Sequence, residues 1–203
     1  MKKYIVIAML SVLLVFSAGC ADSQGTGSST TGTEPQTSGT MHHVTIEVKD
    51  YGTISVELDG VNAPISTENF ISLAKDGFYD GLTFHRIITG FMIQGGDPNG
   101  NGSGGSDKTI KGEFSLNGVK NPLSHTRGAI SMARSRDYDS ASSQFFIVHE
   151  DSPNLDGQYA VFGYVTEGMD IVDKICADTP VVDNNGTVEK ENQPVITSIK
   201  VID

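Results

Sequence analysis

The stretch Phe84-His85-Arg86-Ile87-Ile88-Thr89-Gly90-Phe91-Met92-Ile93-Gln94-Gly95-Gly96-Asp97 reads as a strand, a tight turn at Gly90 and a returning strand. Side chains two residues apart on a strand share a face, so Arg86 projects with Ile88, and Met92 with Gln94 beyond the turn. Arg86 therefore stands among Phe, Ile and Met side chains. A guanidinium in such company is costly unless it has a partner or a task. On this segment alone two readings stay open: an arginine whose stem lies on apolar surface with its head in water, or a cation held on purpose beside an apolar surface. His85, inside the same apolar strand, reads as a hydrogen-bonded core residue.

Working outward, Val44, Ile46 and Val48 alternate with polar residues, and Ile54, Val56 and Leu58 do the same. Asp50-Tyr51-Gly52 lies between them, which predicts a β-hairpin. Val195, Thr197, Ile199 and Val201 alternate near the other end, and residues 83–88, 91–94, 129–132, 145–148 and 160–165 are further short apolar stretches. Many short strands with long loops predict a closed barrel or a sandwich. Two helices interrupt. Residues 64–76 start at a proline and end before Gly77, with Phe70, Leu73 and Ala74 on one face. Residues 167–177 put Met169, Val172, Ile175 and Cys176 on one face, so Cys176 reads as a small core residue and not a reactive thiol. Each helix is expected to cover an end or flank of the β structure. The Gly-rich residues 97–107 read as loop.

The whole chain has 203 residues, with 14 Lys and Arg against 25 Asp and Glu, a net charge of −11. That length suits one compact domain plus an appendage. With 37% apolar and only 19% charged residues the chain is not wholly disordered. The negative balance excludes a binder of phosphate backbones, so no nucleic-acid partner is expected. Two cysteines exclude a disulfide scaffold.

The appendage is N-terminal. Lys2 and Lys3 precede an apolar run from Tyr4 to Phe16 that falls short of the ~20 residues a membrane-spanning helix needs. Ser17-Ala18-Gly19-Cys20 follows, giving the form of a secretory signal. Ending on cysteine, it resembles a bacterial lipobox, with Ser17 where leucine is usual. The resemblance implies that Cys20 takes a diacylglyceryl group and becomes the first residue, and two acyl chains suffice for stable anchoring. The expected organisation is a lipoprotein signal peptide over residues 1–19, lipidated Cys20 with a flexible Gly/Ser/Thr tether over 20–40, and a folded domain over 41–203. Removing residues 1–19 takes two lysines and no acid, so 12 cations face 25 acids and the net charge becomes −13. The expected location is the cell envelope, on the outer side of the cytoplasmic boundary, with the lipid bilayer as partner through Cys20.

Several chemistries are excluded by spacing. Asp97-Pro98-Asn99-Gly100-Asn101-Gly102 opens like a calcium loop, but its twelfth position, where glutamate belongs, is Lys108. The same loop lacks the Gly-Lys-Ser/Thr of a phosphate cradle. The histidines at 42, 43, 85, 125 and 149 show no zinc-ligand spacing. No Gly-x-Ser-x-Gly elbow marks a serine nucleophile. Neither a metal nor a cofactor is expected.

Five blocks then occur in order: FHRIITGFMIQGGD at 84–97, GSGG at 102–105, HTRGAISMARS at 125–135, SSQFFIV at 142–148 and LDGQYAVFGYV at 155–165. Together they resemble the cyclophilin family of peptidyl-prolyl cis–trans isomerases, over essentially the whole folded domain. The resemblance implies a mainly β fold, a closed eight-stranded antiparallel β-barrel capped by two α-helices. It implies Arg86 as the catalytic arginine with Gln94 beside it, and Phe91, Met92, Phe146 and Leu155 around the proline ring. Ala133, Arg134 and Ser135 become the segment that meets substrate backbone, with Gln144 as a further polar contact. Three positions depart from a frequent family pattern: Asn154 replaces a tryptophan, Tyr159 replaces a histidine while keeping a ring and a polar tip, and Met132-Ala133-Arg134-Ser135 replaces Met-Ala-Asn-Ala. The absent indole implies weak cyclosporin binding, and Arg134 is expected to add a cation beside the peptide groove.

The implied reaction fits the absence of a nucleophile. Rotation about an X–Pro bond is opposed by amide resonance, a barrier of about 18–20 kcal/mol, and breaks no bond. In the twisted transition state the proline nitrogen regains its lone pair, and a donor aimed there binds that state more strongly than either planar one. The expected enzyme is a monomer acting on proline-containing secreted or surface polypeptides. Two other readings use the same groove: a proline-peptide binding module or chaperone without turnover, and a surface adhesin. Turnover abolished by Arg86→Ala separates the enzyme from both.

Overall fold

The computed structural model describes residues 39–203. The signal-peptide segment, Cys20 and nearly all of the tether lie outside the described residues. Eight strands and two helices follow one another: β1 Met41–Val48, β2 Gly52–Asp59, α1 Pro64–Lys75, β3 Phe84–Ile88, β4 Met92–Gly95, β5 Ala129–Met132, β6 Phe145–Val148, β7 Val161–Glu167, α2 Met169–Asp178 and β8 Ile196–Val201. One antiparallel sheet takes the order β3-β4-β6-β5-β7-β2-β1-β8. Its edges meet only along a short seam, where Thr83 bridges Val195, the Phe84 N–H donates to Pro194 O (3.0 Å) and the Ile196 N–H to Leu82 O (2.7 Å). The barrel expected to be fully closed is therefore a curled sheet whose two edge strands share no ladder.

Alternation fills the interior. Ile46, Ile54, Leu58, Ile87, Ile93, Ile130 and Ile147 are buried, and α1 adds Phe70 to a cluster with Tyr79, Phe84, Phe145 and Phe162. Ring centroids there lie 5.0–6.1 Å apart, the spacing favoured by tilted and edge-on pairs. Helix α1 packs on β8, β7 and β2, and α2 on β2. The start of α1 is capped from far away: Glu113, buried, accepts from the N–H of Ile65 (3.0 Å) and from both the N–H (2.7 Å) and hydroxyl (2.6 Å) of Ser66. A carboxylate there satisfies orphan donors and faces the positive end of the helix dipole. In α2, Val172, Ile175 and Cys176 are buried, and burial pushes the Cys176 thiol up to about 11, consistent with an inert core residue.

One sequence expectation fails through a β-bulge, and a second fails in part beside another. The ladder between β1 and β8 shifts between Glu47 and Val48, so Val48 faces Ile196 and Thr197 is skipped. Ile196 enters the core while Thr197, expected on the inward row, is exposed. The β3–β4 ladder shifts between Phe84 and Arg86. That bulge lets Phe84 point into the core although Arg86, two residues on, points outward. His85 sits at the bulge. It is buried, yet neither ring nitrogen has a protein partner, so it is not the hydrogen-bonded core residue expected.

Candidate active site

Sheet register assembles the site. Across β3, β4, β6 and β5, Arg86 stands opposite Gln94, Gln94 opposite Phe146, and Phe146 opposite Ser131. A parallel row runs from Ile88 through Met92 to Val148. One position away, Ile87, Ile93, Ile147 and Ile130 form the matching inner row, all buried. The outer face carries its own apolar cluster of Met92, Ala129, Phe146, Val148 and Val161, against which Phe91, Leu155 and Tyr159 pack.

A slot of about 140 Å³ opens on this face. Phe91, Met92, Phe146, Leu155 and Tyr159 supply apolar walls, Arg86 and Gln94 supply polar atoms, and Ala133 and Arg134 complete the lining. At about 30 Å³ per water the slot suits a small ring and is too small for a nucleotide. An adjoining cavity of about 250 Å³ shares Gln94, Ala133 and Arg134 and adds Ser135, Gln144 and the Gly102–Gly104 stretch. The expected residues thus fall into two contiguous recesses, with Ser135 and Gln144 in the second and not in the slot.

Arg86 is held at three points. Its Nε–H donates to Asn185 O (2.8 Å), Nη2 to Asn185 Oδ1 (3.2 Å) and Nη1 to Gln94 Oε1 (3.2 Å). Nη1 also lies 4.0 Å from the Met92 sulfur, which places the fork against the slot wall. Gln94 is oriented in turn: its Nε2 donates to Gln144 Oε1 (2.8 Å), and Gln144 Nε2 donates to Gly104 O (2.8 Å) and Gly102 O (3.1 Å). Partial burial lowers the Arg86 pKa from the ordinary guanidinium value, with Tyr159 and Asp183 opposing. Gly96 follows β4 at φ +80°, and a Cβ there would stand 2.5 Å from Ser143 O. Glycine thereby lets β4 close on the segment that presents Gln144.

Behind the slot lies a group to which sequence reading gave no role. His125, fully buried in its side chain, stacks on Phe146 at 5.9 Å and 11°. Its Nδ1 pairs with Asp156 Oδ1 (2.8 Å), and its Nε2 lies 3.0 Å from the Ser131 hydroxyl. Burial holds His125 below the ordinary histidine pKa, against the opposing effect of Asp156. The neutral ring therefore donates from Nδ1 to the carboxylate and accepts from Ser131 at Nε2. Asp156 stays below the usual carboxylate range: burial works to raise it, and hydrogen bonds from the His125 backbone and ring outweigh that. Tyr159 stands edge-on to both rings, 6.0 Å from Phe146 and 6.5 Å from His125.

Arg134 lies beside the groove, lining both recesses, and its charge is packed against aromatic rings. Its guanidinium lies 4.6, 5.0 and 5.1 Å from the ring centroids of Tyr159, Tyr138 and Phe114. It also donates to Gln158 O and Ser135 O. The cation is packed as a strut under Tyr159. The residues missed by sequence reading are Asn185, His125, Asp156 and Ser131. His125 and Ser131 stand in the block HTRGAISMARS and Asp156 in LDG; Asn185, 99 residues from Arg86, has no local signal.

Residues 43–201 match the family model described as cyclophilin type peptidyl-prolyl cis-trans isomerase/CLD. Peptidyl-prolyl cis-trans isomerase B of Bacillus subtilis is 46% identical over 144 residues, covering 71% of this chain and 92% of the relative. A peptidyl-prolyl cis-trans isomerase of Helicobacter pylori is 48% identical over 126 residues, 61% of this chain and 74% of the relative. Among solved structures, a cyclophilin type peptidyl-prolyl cis-trans isomerase of Cryptosporidium parvum, determined in the presence of the dipeptide Ala-Pro, superposes with a TM-score of 0.70 at 31% identity. That likeness covers 79% of this chain and 99% of the other.

Proposed function

The chain belongs to the family of cyclophilin-type peptidyl-prolyl cis-trans isomerases, and from that premise we propose that its slot takes the ring of a substrate proline while Arg86 lowers the barrier to rotation. The activity is isomerisation of X–Pro bonds. The observation that carries the proposed mechanism is the three-point anchoring of Arg86 with Nη1 against the slot wall. A guanidinium has five N–H donors, and the anchors use one on each nitrogen. One N–H of Nη2 is left over, and the second N–H of Nη1 has only the weakly accepting Met92 sulfur, so the fork presents donors in a fixed plane for the proline nitrogen as its lone pair re-forms. Phe91, Met92, Phe146 and Leu155 hold the ring still, so the carbonyl side of the bond rotates against a fixed nitrogen. Because the donor is oriented before substrate arrives, little reorganisation is needed at the barrier top. A 10⁵-fold acceleration requires about 7 kcal/mol at 1.36 per decade, within reach of such preorganisation.

The adjoining cavity takes the polypeptide beyond the ring. The main-chain N–H and C=O of Arg134 hydrogen-bond to nothing among the described residues, whereas its neighbours are engaged, Ala133 N–H with Gln144 O and Ser135 N–H with Ser140 Oγ. Arg134 thus offers one strand-like pair of bonds to any sequence, which supports broad substrate tolerance. The natural substrates are exported chains, and the enzyme is a lipoprotein tethered through Cys20, a reading supported by residues 1–40 of the sequence. Outside the membrane a slow proline step leaves a chain exposed to proteolysis and aggregation.

Turnover of an Ala-Pro peptide by the domain, lost in Arg86→Ala with circular dichroism unchanged, is the expected result. Undiminished turnover in Arg86→Ala overturns the arginine mechanism. Cys20→Ala is expected to release the protein from membranes, and retention on them overturns the anchor.

A further inference from the structure

Arg86 and Gln94 line a third cavity, about 550 Å³, on whose wall lies His85. His85 is only 4% exposed and neither ring nitrogen has a protein partner. Burial keeps the ring neutral, against the pull of Asp97, so one nitrogen donates and the other accepts. The cavity lies between two loops that are already locked. Asp97 accepts from the N–H groups of Asn99 (2.8 Å), Asn101 (3.0 Å) and Gly102 (2.5 Å). Gln193 joins the loops, donating to Gly100 O (2.9 Å) and Val188 O (3.0 Å) while accepting from Thr83 Oγ1 (2.5 Å). These groups are spent on structure.

Others are not. The Asn101 carbonyl oxygen takes two bonds from Ser103, and the Asn185 carbonyl oxygen takes one from Arg86, but the amide Nδ2 of each donates to nothing among the described residues. The lining thus offers a neutral imidazole and two amide NH₂ donors without a protein partner. Both signs of charge surround it: Arg86 and Lys190 against Glu189 on the lining, with Asp97 behind His85 and Asp183 close to Arg86. A carboxylate entering here meets Glu189 and Asp97, an ammonium meets Arg86 and Lys190, and an alkyl group leaves buried His85 unpaired and displaces water from the exposed Asn101 and Asn185 amides without replacing its bonds. A neutral group that donates and accepts satisfies them all.

We propose that this cavity is a substrate subsite for a carboxamide side chain, asparagine or glutamine, carried within two residues of the isomerised proline. The proposal rests on the isomerase reading and names a substrate preference for the same site. The distance limit follows because Arg86 and Gln94 border both slot and cavity, and an extended chain advances about 3.3–3.6 Å per residue.

The test measures kcat/KM by exchange NMR on an Ala-Ala-Pro-Ala-Ala parent peptide, with Gln, Glu or Leu placed singly at the two positions before and the two after proline. At one position Gln is expected to exceed both Glu and Leu by about fivefold, one net hydrogen bond's worth. In His85→Phe and in Asn101→Ala the ratio falls toward one. Each ratio is internal to one variant, so a general loss of turnover cancels. Should His85→Phe fail to fold, Asn101→Ala decides alone. Ratios near one at every position in the wild type, or a preference that survives the variants that fold, overturn the subsite while parent turnover leaves the isomerase reading standing. A wild type that does not turn over the parent overturns both.

Discussion

Replacing Arg86 by lysine keeps the charge and removes the fork. The guanidinium reaches Asn185 O at 2.8 Å, Asn185 Oδ1 at 3.2 Å and Gln94 Oε1 at 3.2 Å while still facing the slot. Lysine has one nitrogen with three donors and no fixed plane, so an ammonium that satisfies the anchors has no set direction toward the slot. The loss in the transition state is that of one hydrogen bond to a charged group, about 1.5–3 kcal/mol, or about 10- to 150-fold in kcat/KM at 1.36 kcal/mol per decade. The loss of stability is smaller, about 1 kcal/mol, because the anchors lie near the surface. Exchange NMR on an Ala-Pro peptide reads the first quantity and thermal unfolding the second. Gln94→Leu removes one anchor and is expected to lower kcat more than it raises KM. Combined with Arg86→Lys it is expected to add little, since both changes free the same fork. A lysine variant within twofold of wild type refutes the reasoning, because a point charge would then suffice.

Glu113→Gln replaces one of two buried acceptor oxygens by an NH₂ that faces the donors at the start of α1, so stability is expected to fall by about 1–3 kcal/mol, read as a lower Tm; an unchanged Tm contradicts the capping role. Gly96→Ala, at φ +80° and 2.5 Å from Ser143 O, is expected to cost more than about 1 kcal/mol and to reduce turnover by displacing Gln144; a variant as stable and active as wild type counts against the close approach. Burial holds both His85 and His125 below the ordinary histidine value, so the unfolded chain binds protons first and stability is fully present above about pH 6.5 and lost as pH falls below it. His43, raised by its hydrogen bond to Asp203, acts with the opposite sign but is fully exposed and screened; a Tm that holds or rises from pH 7.5 to 5.5 contradicts the balance, and His85→Phe is expected to flatten the slope.

The strands were legible wherever the pleat is regular. Ile46, Ile54 and Leu58 announce a half-buried hairpin, and the stripe of Val172, Ile175 and Cys176 announces a helix face. Legibility ended at bulges, because one extra residue exchanges inside for outside without leaving a mark in composition. Thr197 is misread as inward and Ile196 as outward for that reason. Arg86 was visible as an anomaly, a cation among large apolar residues, but its task came only through resemblance to a family. Its anchor Asn185 and the cap Glu113 act across long loops on distant elements. Only the closed chain brings them near, and no periodicity encodes such a pair.

Register ties the site to the core more tightly than any single contact. Ile87, Ile93, Ile147 and Ile130 face one another inside the sheet, and Arg86, Gln94, Phe146 and Ser131 face one another one position away on the outside. Sliding β4 by one residue would turn Gln94 inward and Ile93 outward, exposing a buried isoleucine and burying an amide without a partner. Arg86 would lose the Gln94 anchor in the same step. The inner row thus fixes the outer one at the cost that any mispairing carries in apolar burial alone, about 1.5–3 kcal/mol per large aliphatic side chain. Loops 97–105 and 183–193 are not bound by that constraint. Asn185 in the second loop anchors Arg86, and the Gly102 and Gly104 carbonyls in the first hold Gln144, but the other residues that line the cavity beside His85 can change which client side chains are accepted while the row that rotates the imide bond stays where the isoleucines put it.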